Sequence, residues 1–109
     1  TIDPGQSLLI PSGIKAEVPI GYALIAFNKS GVATKQGLMV GACVVDEDYE
    51  GEIHLHMTNT SSSRQTIISG QKIVQFILLP INYAEIELVY ELQSRNTERG
   101  SKGFGSTGL

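Results

Sequence analysis

Residues Gly41–His56 read GACVVDEDYEGEIHLH. Val44-Val45 and Ile53-His54-Leu55 are strand-like runs, separated by the polar stretch Asp46-Glu47-Asp48-Tyr49-Glu50-Gly51. Apolar, β-branched residues on both sides of a Gly-ended polar turn predict a β-hairpin. The turn carries four carboxylates, Asp46, Glu47, Asp48 and Glu50, around one aromatic ring, Tyr49. One or two Asp or Gly residues suffice to set a turn's dihedrals, and adjacent carboxylates repel one another. The crowding points to a site, for a cation or for a water that must lose its proton. Taken alone, the stretch reads more simply as a solvated acidic tip; other segments of the chain decide against that.

Working outward, short apolar runs alternate with turns. Asp3-Pro4-Gly5 is a turn, Leu8-Leu9-Ile10 a short strand, and Pro11-Ser12-Gly13 its end. Ile14–Val18 alternates apolar with polar residues, the period of a half-buried strand. Tyr22–Phe27 is nearly continuous apolar sequence and predicts a buried strand. Thr66–Ile68, Lys72–Leu79 and Ile86–Leu92 predict three more, while Val32–Gln36, confined by Gly31 and Gly37, has room for one helical turn. Strands at this close spacing predict an all-β sandwich or barrel. From Gln93 the sequence SRNTERGSKGFGSTGL follows, polar and Gly-rich, and predicts a tail that stays mobile until something orders it.

The chain has 109 residues, 41% of them hydrophobic, and a net charge of -3. That is one domain with a small core, for which oligomerisation is a natural way to bury more surface. Residues 1–92 are expected to form the barrel and 93–109 a flexible arm. The acidic balance argues against a nucleic-acid partner. No apolar run approaches a membrane span, so no membrane partner is expected. Cys43 is the single cysteine, which excludes an internal disulfide and a Cys-based zinc site and favours an intracellular setting. The first residue is Thr1 rather than Met, and a longer product is expected.

Two more stretches carry chemistry. Asn28-Lys29-Ser30-Gly31 follows the buried run and offers a cation, a hydroxyl and backbone N–H groups to an anion, although a lone tetrapeptide of this kind is more often a plain turn. Arg99–Gly108 combines charge, glycines and hydroxyls like a phosphate-cradling loop, without the GxxxxGK[ST] spacing. Phe104 has no core to join there, and a nucleobase is a fitting partner for its ring. Other constellations fail. His54 and His56 share a strand face but have no third ligand in view, Cys43 has no base beside it in sequence, and the acidic turn lacks EF-hand spacing.

Together these segments resemble the trimeric dUTP pyrophosphatases (dUTPases). Asn28-Lys29-Ser30-Gly31-Val32 resembles the family's second motif, PRSGL. Gly41–Gly51 resembles the third, Gly70-Gln71-Lys72-Ile73-Val74-Gln75-Phe76-Ile77 the fourth, GDRIAQLI, and Arg99–Gly108 the fifth. The four motifs stand in order with family-like spacing, and the resemblance runs from Pro4-Gly5 to Gly108. Lys29 replaces the usual Arg, Asn28 the Pro, Gln71 an acidic residue, and Cys43 a common Gly. The family's first motif, AGxDL-like, is expected shortly before Thr1.

The resemblance implies a distorted jelly-roll β-barrel and hydrolysis of dUTP to dUMP and pyrophosphate, which limits uracil incorporation into DNA and supplies dUMP. Asp46 would deprotonate the water that attacks the α-phosphate. Tyr49 would pack on the deoxyribose, the backbone near Cys43 and His54 would bond the uracil edge, and Phe104 would cover the base. Lys29, Ser30, Gly31, Gln75, Arg99, Gly105, Ser106 and Thr107 would contact phosphates. Mg²⁺ would be held through substrate phosphates and water, with no direct protein ligand. A homotrimer with shared sites is implied, in the cytoplasm, or the host-cell cytoplasm if the source is a virus or phage. Two alternatives stand beside this reading: a non-catalytic trimeric nucleotide-binding protein of the same fold, and a dCTP deaminase-type relative.

Overall fold

The longest apolar run makes the longest pairing. In the computed structural model, which describes residues 1–105, β2 (Tyr22–Asn28) pairs antiparallel with β6 (Val74–Pro80) from Tyr22 opposite Pro80 to Asn28 opposite Val74. The short strand β4 (Val44–Val45) joins the other side of β2, giving the sheet order β4-β2-β6. A second sheet has the order β1-β5-β3, from β1 (Ser7–Pro11), β5 (His54–Asn59) and β3 (Leu38–Val40). All pairings are antiparallel, and the expected all-β class is observed.

The core lies between the sheets in two small clusters. Ile2, Leu38, Met57 and Ile73 form one, Val18, Val45 and Ile53 the other, and Leu55 packs against both. Asn59 is wholly buried yet satisfied. Its amide nitrogen donates to the carbonyls of Ile2 and Ser63, each at 2.8 Å, and its oxygen accepts from the backbone N–H of Ser61 at 2.9 Å and from the Ser61 hydroxyl at 2.7 Å. One polar side chain thus ties the N-terminal segment to the loop after β5.

The helical turn Val32–Gln36 forms, with π-helical hydrogen bonding. Gly37 ends it in the left-handed conformation, φ 66°, and its N–H bonds the Ala33 carbonyl at 3.1 Å. Ser61 packs so closely that a Cβ at Gly37 would stand 2.9 Å from the Ser61 Cβ. Only glycine meets both demands.

Four expectations are corrected. Val44-Val45 and Ile53–Leu55 are not the two arms of one hairpin, because β4 pairs with β2 while β5 pairs with β1 and β3. Val45 and Ile53 meet instead as packing partners in one core cluster, face to face across the sheets. Ile14–Val18 forms no strand. It keeps one ladder-like bond, Ile53 N–H to the Ile14 carbonyl at 2.9 Å, before Pro19 removes a donor. Thr66–Ile68 is likewise unpaired, and the pairing falls one residue earlier, where Ile2 and Gln65 exchange bonds of 2.8 and 3.0 Å. Ile86–Leu92 forms no strand either; Ile86 is 99% and Leu88 98% exposed, and no strand among the described residues receives them.

Candidate active site

The separation of β4 from β5 opens a cavity of about 320 Å³ between the sheets, the lower end of the range for a small-molecule site. The residue before β4 contributes Cys43, the loop after β4 contributes Asp46, Asp48 and Tyr49, and β5 contributes His54 and Leu55. Phe76 from β6 forms part of the wall. Two backbone edges flank the gap. β4 is an edge strand, paired on its other side with β2. β3 pairs with β5 at Met57–Asn59 and the segment after it reaches only as far as the His56 carbonyl, so His54 and Leu55 have a partner on the β1 side alone. A planar group with donors and acceptors along its rim could complete the missing ladder.

The loop holds its side chains through local bonds. Tyr49 N–H donates to the Asp46 carbonyl at 3.2 Å, closing a four-residue turn. The Tyr49 hydroxyl donates to the Glu52 carbonyl at 2.5 Å, and His54 Nδ1 lies 3.1 Å from the same oxygen. A carbonyl only accepts, so His54 carries its proton on Nδ1 there. Gly51 leaves the space that the Tyr49 ring occupies; a Cβ there would stand 2.6 Å from the hydroxyl oxygen.

The acidic cluster divides by role. Glu47 is an anchor, its carboxylate accepting from Gly21 N–H at 2.6 Å. Asp46 and Asp48 line the cavity and stay exposed to solvent. Tyr83 reports their field. Partial desolvation of its hydroxyl, then the charge of Glu47 and a hydrogen bond to it, then the charges of Asp46 and Asp48, hold the phenol above its usual pKa. Its side chain is 73% exposed, so the effect marks the charge of the loop more than any burial.

The residues expected on phosphates lie elsewhere in the chain. Lys29, Ser30 and Gly31 lead into the π-helical turn, where the Lys29 carbonyl accepts from Ala33 N–H at 2.9 Å and the Ser30 carbonyl from the Thr34 hydroxyl at 2.7 Å. Gln75 donates to the Asn28 carbonyl at 2.8 Å, and the Asn28 amide oxygen accepts from Val40 N–H at 2.8 Å, which fixes the approach to this turn. Lys29 lines a second cavity, of about 630 Å³, and Leu55 and Phe76 line both. The structure therefore brings Cys43, Asp46, Tyr49 and His54 together and leaves Lys29 on a separate cavity.

In the arm, Arg99 is occupied locally by the carbonyls of Lys102, at 2.7 Å, and Gly103, at 3.3 Å. Phe104 is fully exposed, and Gly105 has φ 83°. Ser106 and Thr107 lie outside the described residues. Among the described residues no three His, Cys, Asp or Glu side chains cluster to hold a metal, and no helix is long and apolar enough to cross a membrane. Sequence reasoning missed Leu9, Ala26 and Val40, which also line the first cavity; as ordinary strand residues they carry no local signal.

Comparison with known proteins places this geometry. A family model described as dUTPase matches residues 1–108. The deoxyuridine 5'-triphosphate nucleotidohydrolase of Bdellovibrio bacteriovorus is 40% identical over 109 residues, an alignment spanning 98% of this chain and 72% of the relative. The EIAV dUTPase structure superposes with a TM-score of 0.73 at 31% identity, over 88% of this chain and 76% of the other. A Staphylococcus bacteriophage 80alpha dUTPase bound to dUpNHpp gives a TM-score of 0.80 over 99% of this chain and 79% of the other, a likeness of fold at 24% identity. The β-sheet architecture, the cavity between β4 and β5 and the nearly full-length match agree: the chain belongs to the dUTPase family.

Proposed function

We propose that the chain hydrolyses dUTP to dUMP and pyrophosphate. The supporting observation is the inter-sheet cavity, which sets the solvent-facing Asp46 beside Tyr49 and two unpaired backbone edges. In this reading uracil enters the gap and bonds the backbone edges near Cys43 and His54. Tyr49 lies against the deoxyribose, and its bond to the Glu52 carbonyl fixes the ring where a 2′-hydroxyl would need space. Asp46 accepts the proton of a water as its oxygen attacks the α-phosphorus; the bond from that phosphorus to the bridging oxygen breaks and pyrophosphate leaves. Oxygen donors on the triphosphate, with Asp46 nearby, suit Mg²⁺, which would offset phosphate charge and orient the chain of phosphates.

The site is completed by other copies of the chain. Lys29–Gly31 and Gln75 lie apart from Asp46 within one protomer, and the arm reaches neither cavity in the described residues. A homotrimer brings these pieces together, with Phe104 over the base and Arg99, Gly105, Ser106 and Thr107 on phosphates. It also covers large exposed side chains such as Leu9 at 66%, Ile68 at 70% and Leu88 at 98%. The barrel then spans residues 1–92 and the arm 93–109, and the protein works in the cytoplasm. Neither the deaminase nor the non-catalytic alternative is favoured by the family match.

The test is pyrophosphate release with Mg²⁺ from dUTP, dTTP, dCTP and UTP. Selective turnover of dUTP, lost in Asp46→Asn while dUpNHpp still binds, is the expected result. Equal turnover of the four nucleotides, or an Asp46→Asn variant as fast as the wild type, would overturn it. Mixing Asp46→Asn chains with chains truncated before Arg99 tests sharing: activity must reappear in the mixture if the site is built from different copies.

A further inference from the structure

His56 stands where a histidine serves neither the core nor the cavity wall. Its backbone carbonyl accepts from Gly41 N–H at 2.8 Å, one step beyond the β3–β5 pairing. The ring of the same residue lies over Gly41, and its Nδ1 accepts from Ala42 N–H at 3.0 Å. A Cβ on Gly41 would overlap this ring, so the glycine makes the arrangement possible. Two consecutive backbone N–H groups are thereby pinned to one residue of β5. They belong to the segment that leaves β3 and runs through Cys43 into β4, where the Cys43 carbonyl is held by Ala26 N–H at 2.9 Å. Ala42 and Cys43 line the inter-sheet cavity; His56 does not.

We propose that His56 is a positioning residue for the nucleobase slot, with its unprotonated Nδ1 setting the Ala42–Cys43 backbone at the distance from β5 that a pyrimidine needs. The proposal rests on the dUTP reading for the identity of the ligand but not for the pin itself. The tautomer is fixed by the partner: an amide N–H requires a bare Nδ1, so the ring proton sits on Nε2. A second proton on Nδ1 turns an acceptor into a donor facing a donor. The bond is lost, and the segment is released from β5. By strand register Leu9 from β1 and Gly41 from β3 stand opposite His56, with Met39 further along β3. None of these titrates. The titratable groups nearby are His54, two residues along the same strand face, and Cys43, the residue after Ala42.

Asparagine separates acceptor from ring, because its Oδ1 can stand in for Nδ1 and cannot be protonated in this range. The dissociation constant of dUpNHpp and kcat for dUTP are measured at pH 8 and pH 5.5 for wild type, His56→Asn, His56→Phe and Gly41→Ala. At pH 8 His56→Phe and Gly41→Ala are expected to weaken analogue binding about tenfold and change kcat less than about twofold, the pattern of lost uniform binding. His56→Asn should stay within about threefold of wild type. At pH 5.5 the wild type should weaken more than His56→Asn; ionisation of the ligand's phosphates and of His54 is common to both proteins and cancels in the comparison. Tight binding by folded His56→Phe at pH 8, or equal pH dependence in wild type and His56→Asn, overturns the proposal. The Ala42 amide resonance supplies a readout free of activity. It should titrate in the wild type and not in His56→Asn. If dUTP is not turned over but Ala42 titrates this way, the function falls and the pin stands. If dUTP is turned over and Ala42 does not respond, the pin falls alone.

Discussion

Replacing Gly51 with alanine puts a methyl group where the Tyr49 ring now lies. The added Cβ would stand 2.6 Å from the Tyr49 hydroxyl oxygen and 2.8 Å from Cζ, against ordinary contact from 3.4 Å upward. The hydroxyl must therefore retreat by about 0.8 Å, the shortfall from that 3.4 Å contact. Gly51 is not in the left-handed region, so alanine costs the backbone little and restricts the unfolded chain slightly. The disturbance falls on one side chain. As the ring swings outward, the 2.5 Å bond from the hydroxyl to the Glu52 carbonyl is stretched. A bond of this kind contributes about 1 kcal/mol net, a factor of roughly five in an equilibrium. The ratio of kcat/KM for dUTP over UTP should thus fall about fivefold, while Tm stays within about 4 °C of the wild type. Adding Tyr49→Phe removes the nearest clashing atom, so the double variant should lose less than the two single losses combined. An unchanged dUTP/UTP ratio in folded Gly51→Ala would refute the idea that the Tyr49 ring, held by Gly51 and Glu52, excludes the ribose hydroxyl.

Three further perturbations test the frame around the site. Asn59→Ala removes four hydrogen bonds and leaves the Ser61 N–H without its acceptor, while the Ile2 carbonyl keeps its bond from Gln65; a loss of about 3 kcal/mol, lowering Tm by roughly 15 °C, is expected by thermal denaturation. A drop of only a degree or two would mean that water takes over those bonds. Leu38→Ala empties a fully buried position between Met57 and Ile73, and chemical denaturation should show a loss of about 2–5 kcal/mol. Tyr83 should ionise above pH 10 in an ultraviolet difference titration, assigned by its absence in Tyr83→Phe, and Glu47→Gln should bring it down. The sign follows from linkage: the native state holds this proton more tightly than the unfolded chain, so any stability it confers is present below the unfolded value and is lost as pH rises through the folded one. An unmoved Tyr83 titration in Glu47→Gln would remove Glu47 as a cause.

Much of the fold was legible in local pattern. Tyr22–Phe27 became the core of β2, a central strand paired on both sides, although of this run only Ala23 and Ala26 are buried and Tyr22 and Phe27 stay exposed, and Val32–Gln36 became a helical turn because glycines bound it. Pattern failed where pairing depends on distant partners. Val44-Val45 and Ile53–Leu55 look like hairpin arms because each is apolar and a turn lies between them, yet nothing local says which sheet either will join. Ile14–Val18 shows strand periodicity because Val18 is buried, and a single buried contact produces the same alternation as a ladder. The site divides in the same way. Asp46, Tyr49 and the Lys29–Gly31 turn announce themselves by residue type. The link between Gly41 and His56 does not, since it joins a missing side chain to an imidazole fifteen residues later in sequence.

The cavity is also a seam. One wall belongs to the β4-β2-β6 sheet and the other to the β1-β5-β3 sheet, and the shared packing there is thin, made by Val45, Ile53, Leu55 and Phe76, all of which line the cavity. A molecule bound in the seam touches both halves at once and acts as a removable crosslink between them. Ligand that binds only the joined state stabilises it by RT ln(1 + [L]/Kd), about 2.7 kcal/mol at a hundredfold excess over Kd. Hydrogen exchange should register this gain on both sheets together, β2 and β5 slowing in step as ligand is added. If nucleotide binds this seam, raising its concentration should lengthen the time each chain stays closed against proteolysis.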